Sequence, residues 1–210
     1  MKKIGILVPS TNLTVEYEIQ NLFNQNIFNA SEKTIYISKL SYKTSYKKDK
    51  IKFLNEISAD EKNKMKELEY LGIKDILSFC TSASIINNKM INNPADAIIM
   101  NAKNRKINKC LLITPYNDEI GAKVVDFLEE NNIKVESYIN LNLVDTKEYF
   151  CYGLYNLEKL ILEKYTKEYG DVIISCTNLP TIHFINRIEK KIKCNVISSN
   201  SSMFEVIKRI

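Results

Sequence analysis

Two segments hold the residue types most suited to chemistry. In each, a cysteine closes a short apolar run and hydroxyl or amide side chains follow at once: ILSFCTSAS over residues 76–84 and VIISCTNLPT over 172–181. The cysteines, Cys80 and Cys176, lie 176 − 80 = 96 residues apart. A thiol at a strand end, followed by residues that can start a helix, meets free backbone N–H groups and the positive end of the helix dipole. That setting can lower a thiol pKa, and the same N–H groups can hold a substrate carboxylate. The small residues Ser82, Ala83 and Ser84 would let a ligand approach the backbone closely. The matched pair predicts two reactive thiols sharing one ligand.

The remaining chemistry-bearing residues are less organised. Cys110, Cys151 and Cys194 are expected to be small buried hydrophobes. Five widely spaced cysteines with no C-x-x-C pair fit neither a disulfide framework nor a zinc site. His183, the single histidine, follows Cys176 by seven residues. It is expected to be a surface or satisfied helical residue rather than half of a Cys–His dyad. With one histidine and no ligand cluster, no metal is expected. No Walker A or GxGxxG sequence is present, so nucleotide binding has no support.

The thiols must be positioned by an alternating pattern of elements. Strands are expected over 3–8, 34–40, 75–80, 109–114, 134–139, 171–176 and 194–198, each a short, partly β-branched run. Helices are expected over 13–26, 58–72, 95–105, 118–132, 157–170, 179–193 and 202–210. Asn12 would cap the first, and Ser58 with Glu61 forms a capping-box pattern for the second. Alternation of this kind implies parallel sheets. GILVPSTN (5–12) resembles LLITPYN (111–117), as SFCTSAS resembles ISCTNLP, and the two offsets, 106 and 96, are similar. A duplicated α/β fold follows: two pseudo-symmetric halves, 1–106 and 107–210, each a short, mainly parallel sheet flanked by helices. Ligands bind beyond the carboxyl ends of the strands in such sheets. If the halves face each other, these edges share one cleft, and Cys80 and Cys176 would approach a ligand from opposite sides.

Composition excludes several classes. Lys and Arg number 30 against 25 Asp and Glu, a net charge of +5, and the lysines are scattered. Without a basic stripe or a known module, nucleic-acid binding is not expected. No apolar run approaches a membrane span. IGILV is too short for a signal-peptide core, so a cytoplasmic protein is expected.

Together, GILVPSTNLTVEYE (5–18), CTSAS (80–84), LLITPYNDEIGAKVVDFL (111–128), SCTNLPT (175–181) and VISSNSSMFEVI (196–207) resemble the maleate cis–trans isomerases. These belong to the Asp/Glu racemase superfamily, which also holds the arylmalonate decarboxylases. The resemblance runs over nearly the whole chain. It implies an active site between the halves and catalysis without metal or organic cofactor, with Cys80 as nucleophile and Cys176 as partner acid/base. It implies that Asn12 and Tyr116 bind substrate carboxylates, helped by backbone amides near Thr81, Ser82, Thr177 and Asn178. Arylmalonate decarboxylases lack the first cysteine, so Cys80 argues against that reaction here. Two departures stand out. LNLVDT (141–146) places Thr146 where the family usually has a carboxylate-binding asparagine. The segment 81–113 is also short, which suggests a missing or shortened helix and strand in the first half. The expected function is isomerisation of a small dicarboxylate of the maleate-to-fumarate type. An amino-acid racemase using the same two thiols, or a non-catalytic relative, remains an alternative, and a homo-oligomer is compatible with any of them.

Overall fold

A computed structural model describes residues 1–87 and 90–210. It contains two parallel sheets flanked by helices. The first is built from β1 (Lys2–Pro9), β2 (Lys33–Leu40) and β3 (Asp75–Ser78), in the order β2-β1-β3. The second is built from β4 (Lys109–Thr114), β5 (Lys134–Asn140), β6 (Asp171–Ile174) and β7 (Val196–Ser198), in the order β5-β4-β6-β7. Every pairing is parallel. The first strand of each half is thus a central strand, and the order of the first three strands repeats. Buried positions dictate this. Ile4, Ile6, Leu7 and Val8 of β1 are all fully buried, as are Cys110, Leu111, Leu112 and Ile113 of β4. Runs apolar on both faces suit the middle of a covered parallel sheet.

The halves differ at one edge. β7 flanks β6, but among the described residues no strand flanks the outer edge of β3. There Ser78 N–H donates to the Ile91 carbonyl at 3.4 Å and the Asn92 side-chain Nδ2 to the Ile76 carbonyl at 2.8 Å. The short segment after Cys80 therefore forms helices α3 (Thr81–Asn87) and α4 (Pro94–Arg105) with no fourth strand among the described residues.

The other helices are α1 (Thr14–Asn24), α2 (Lys50–Tyr70), α5 (Asp118–Glu130), α6 (Thr146–Tyr155), α7 (Leu157–Lys164), α8 (Ile182–Ile192) and α9 (Ser199–Arg209). Three expectations need correction. The second helix starts at Lys50, where Asp49 accepts from Lys52 N–H. Ser58 and Glu61 therefore lie inside it and form no capping box; Ser58 Oγ instead accepts from Asn87 Nδ2 at 2.7 Å. The basic run before it had masked its start. α6 was not expected at all, and the helix after it stops at Lys164, followed by a 3-10 turn over Lys167–Tyr169. Cys151, on α6, is exposed rather than buried.

The larger apolar core runs continuously through both halves, from Leu7 and Ile57 to Leu112, Ile173 and Phe184. A smaller core packs Ile4, Ile6 and Phe79 against Met203, Phe204 and Ile207 of α9. The last helix of the chain thus covers the first sheet and ties the halves together. No helix among the described residues is long and apolar enough to cross a membrane.

Candidate active site

The carboxyl ends of β1, β3, β4 and β6 converge on one cavity of about 40 Å³. Cys80, Thr81 and Ser82 reach it from the β3–α3 junction, and Cys176, Thr177 and Asn178 from the turn after β6. Asn12 comes from the end of β1, Tyr116 from the end of β4, and Thr146 from the first turn of α6. All nine residues expected at a site therefore line the same space. Pro9 and Thr11 of the PSTN segment line it too, as do Tyr46, Phe53, Leu54 and Tyr149, which no motif marks.

The two cysteine turns are built differently. α3 begins at Thr81, directly after Cys80, so that thiol does sit at a helix start. The chain after Cys176 is an irregular turn, and α8 begins only at Ile182. Cys176 Sγ instead accepts from the Asn178 N–H at 3.3 Å and from the Tyr116 hydroxyl. Both cysteine residues are buried, 5–6% exposed. Burial pushes the Cys80 thiol up to about 11, against hydrogen bonds from Ala83 N–H and Ser82. Burial pushes Cys176 up to about 12, against bonds from Tyr116 and the Asn178 and Leu179 amides. The lowered thiol pKa expected from the helix start does not occur, because desolvation of the charged form outweighs a few N–H donors.

Hydrogen bonds between the halves fix the site. Asn12 Oδ1 accepts from the Thr14 and Val15 N–H groups, so its side chain does cap α1 although Leu13 occupies the boundary position. Its Nδ2 donates to Thr177 Oγ1 at 3.2 Å, and Thr177 donates to the Phe79 carbonyl at 2.9 Å. The Asn178 side chain is saturated. It accepts from Leu13 N–H and Thr14 Oγ1 and donates to the Thr146 carbonyl at 2.9 Å. It therefore acts as a clamp between α1 and α6, and its backbone N–H points at Cys176. Thr81 Oγ1 donates to Ser199 Oγ at 2.9 Å, tying the first turn of α3 to α9. Across the cavity, Tyr149 donates to the Tyr46 hydroxyl at 3.1 Å. Burial holds the Tyr46, Tyr116 and Tyr149 phenols above their ordinary range, so all three are neutral donors.

None of the described lining residues is charged. Among the described residues no group of three His, Cys, Asp or Glu could hold a metal ion. His183 does not line the cavity. It sits exposed on α8, edge-on to Phe184 with ring centroids 5.0 Å apart and bonded to the Leu154 backbone, and partial desolvation lowers its pKa. What the cavity offers is two neutral thiols, neutral hydroxyl and amide donors, and an apolar wall of Phe53 and Leu54.

The family model for arylmalonate decarboxylase matches residues 90–210. A maleate isomerase from Alcaligenes faecalis is 26% identical over 121 residues, covering 55% of this chain and 47% of that protein. The match thus spans about half the length of the curated relative. The crystal structure of the maleate isomerase Iso from Pseudomonas putida S16 superposes with a TM-score of 0.85 at 21% identity, over 99% of this chain and 92% of that one. A Nocardia farcinica maleate cis–trans isomerase mutant, solved with a covalently bound succinylcysteine intermediate, superposes with a TM-score of 0.82 at 18% identity, over 99% and 91%.

Proposed function

The chain belongs to the arylmalonate decarboxylase family, and from that premise we propose that it is a cofactor-independent isomerase of a small unsaturated dicarboxylate, of the maleate-to-fumarate type. One observation carries the proposal: Cys80 and Cys176, from opposite halves, line one cavity together with neutral hydrogen-bond donors. Two thiols suit addition and elimination across a double bond, as the resemblance of the two motifs implies.

In this scheme the neutral Cys80 thiol first gives its proton to solvent water as the cavity opens to the substrate. The resulting thiolate adds to one olefinic carbon, and the π pair moves onto the neighbouring carbon and its carboxylate. The Tyr116 hydroxyl and the amides of the two cysteine turns stabilise that charge. Cys176 gives its proton to the carbanionic carbon, leaving a succinyl group on Cys80. The former double bond is now single and rotates. Cys176 then takes back a proton, the sulfur–carbon bond breaks with its electron pair returning to Cys80, and the trans isomer leaves. The expelled Cys80 thiolate then regains its proton from solvent. Asn12 Nδ2, with one N–H uncommitted, and the Thr146 hydroxyl are assigned to the substrate carboxylates. A cavity of about 40 Å³ holds only a few waters. Entry of an eight-heavy-atom diacid therefore requires the walls to part.

The lining also discriminates against the racemase reading. An amino-acid substrate brings an ammonium group, and no carboxylate lines the cavity to meet it. Proton NMR of maleate incubated with the protein should show fumarate, lost in Cys80→Ala and Cys176→Ala. Solvent deuterium entering the α-carbon of an amino acid, with no fumarate from maleate, would replace the isomerase with the racemase.

A further inference from the structure

Glu18 is a fully buried carboxylate outside the cavity, on the apolar face of α1 between Val15, Ile19 and Leu22. No cation meets it. Its Oε1 accepts from Thr181 N–H at 2.5 Å and Ile182 N–H at 2.9 Å, and its Oε2 from Asn200 Nδ2 at 2.6 Å. The same Asn200 Nδ2 reaches the Thr177 carbonyl at 3.1 Å and the Leu179 carbonyl at 3.5 Å. One carboxylate from the first half and one amide from α9 therefore hold the turn that follows Cys176. Asn200 Oδ1, buried beside them, has no hydrogen-bond partner among the described residues.

We propose that Glu18 and Asn200 form a proton-sensitive latch that positions Cys176, engaged when Glu18 is ionised and released when it is protonated. Oε1 is occupied by two backbone donors, so a proton taken from solvent goes to Oε2. Buried, that O–H needs an acceptor, and the unpartnered one at hand is Asn200 Oδ1. Turning the Asn200 amide satisfies both groups. It also withdraws Nδ2 from the Thr177 and Leu179 carbonyls, and the turn carrying the Asn178 N–H that faces Cys176 Sγ loses its hold.

Burial raises Glu18 to about 7 despite its three hydrogen bonds, so the latch works near neutral pH. The neighbouring ionisable groups are committed elsewhere. On α1, Glu16 pairs with Lys39 and Tyr17 packs edge-on against Phe150. On α8, His183 answers to Arg187, Glu158 and the Leu154 backbone. On α9, Glu205 pairs with Lys208. Within the turn itself, Cys176 is protonated throughout the neutral range.

That Cys176 is an acid/base rests on the isomerase reading; the latch itself is tested without turnover. Backbone amide signals of the intact protein are followed by nitrogen–proton NMR from pH 5 to 9. The latch predicts that Thr181, Ile182 and Asn178 shift together with one midpoint near pH 7, and that Glu18→Gln flattens all three. If Thr181 and Ile182 titrate while Asn178 stays still, Glu18 only supports the fold and the latch is wrong. Absence of any inflection over that range overturns it as well. The wild-type titration decides these outcomes even if the variant does not fold. A coupled titration in a protein that leaves maleate unchanged keeps the latch and removes the isomerase.

Discussion

Gly153 lies on α6 against the turn that carries Cys176, and replacing it with alanine isolates the value of that placement. A Cβ at residue 153 would stand 2.5 Å from Pro180 Cδ, 2.8 Å from Pro180 N and 3.0 Å from Pro180 O. Ordinary contact begins at 3.4 Å, so the turn and helix must separate by about 0.9 Å. Two of the three atoms are backbone, and no rotamer change can relieve them. Overpacking of this kind costs roughly 1–3 kcal/mol, partly offset by the roughly 1 kcal/mol that alanine gains over glycine in a helix. The stability change is therefore modest. The catalytic change is not, because a misplacement near 1 Å costs ~10²-fold in rate. Gly72→Ala provides the contrast. Gly72 has φ +75° and open space around it, so alanine there costs roughly 1–2 kcal/mol of left-handed backbone strain and leaves the site alone. Guanidinium unfolding and turnover followed by proton NMR should separate the two variants: similar stability losses, with a ~10²-fold rate loss only in Gly153→Ala. A Gly153→Ala protein turning over at the wild-type rate would refute the reasoning.

Three further outcomes are expected. Glu18 has its folded pKa raised from 4.5 to about 7, so its contribution to stability is fully present below pH 4.5 and is lost as pH rises through 7. At 1.36 kcal/mol per unit, the wild type should lose about 3 kcal/mol across that window relative to Glu18→Gln, measured by denaturation at several pH values. The Cys80 thiol, pushed up to about 11, should be alkylated by iodoacetamide roughly tenfold faster per pH unit between 7 and 9; a plateau near pH 7 in site-resolved mass spectrometry would mean a stabilised thiolate. Tyr116→Phe removes the hydroxyl that Cys176 accepts and should lower kcat by ~10²-fold or more with little change in unfolding midpoint.

The architecture was legible because burial wrote it into short apolar runs: β1 and β4 are apolar on both faces, and the order of their neighbours repeats with the motifs. The site motifs were legible because strand ends carry them at fixed offsets. The less visible features have physical causes. In α2 the core positions Phe53, Leu54 and Ile57 follow a lysine-rich stretch that reads as a solvated surface. Tyr46 and Tyr149 reach the cavity by long-range packing from isolated aromatic positions that no motif marks. The thiol pKa values were misjudged because local sequence shows the N–H donors but not the depth of burial that opposes them. Glu18 did leave a signal, an acid at i+3 from Val15 and i−4 from Leu22, which places a charge on the buried stripe of its helix.

The central claim is that Cys80 adds covalently to the substrate while Cys176 supplies the proton. Incubating Cys176→Ser with maleate traps the adduct, because water or the serine hydroxyl slowly supplies the proton and no thiol remains there to take it back. Mapping that adduct by peptide mass spectrometry tests the claim most directly. The account predicts one succinyl group, on Cys80 and on no other cysteine. An unmodified Cys80, or an adduct confined to exposed Cys151, would contradict it.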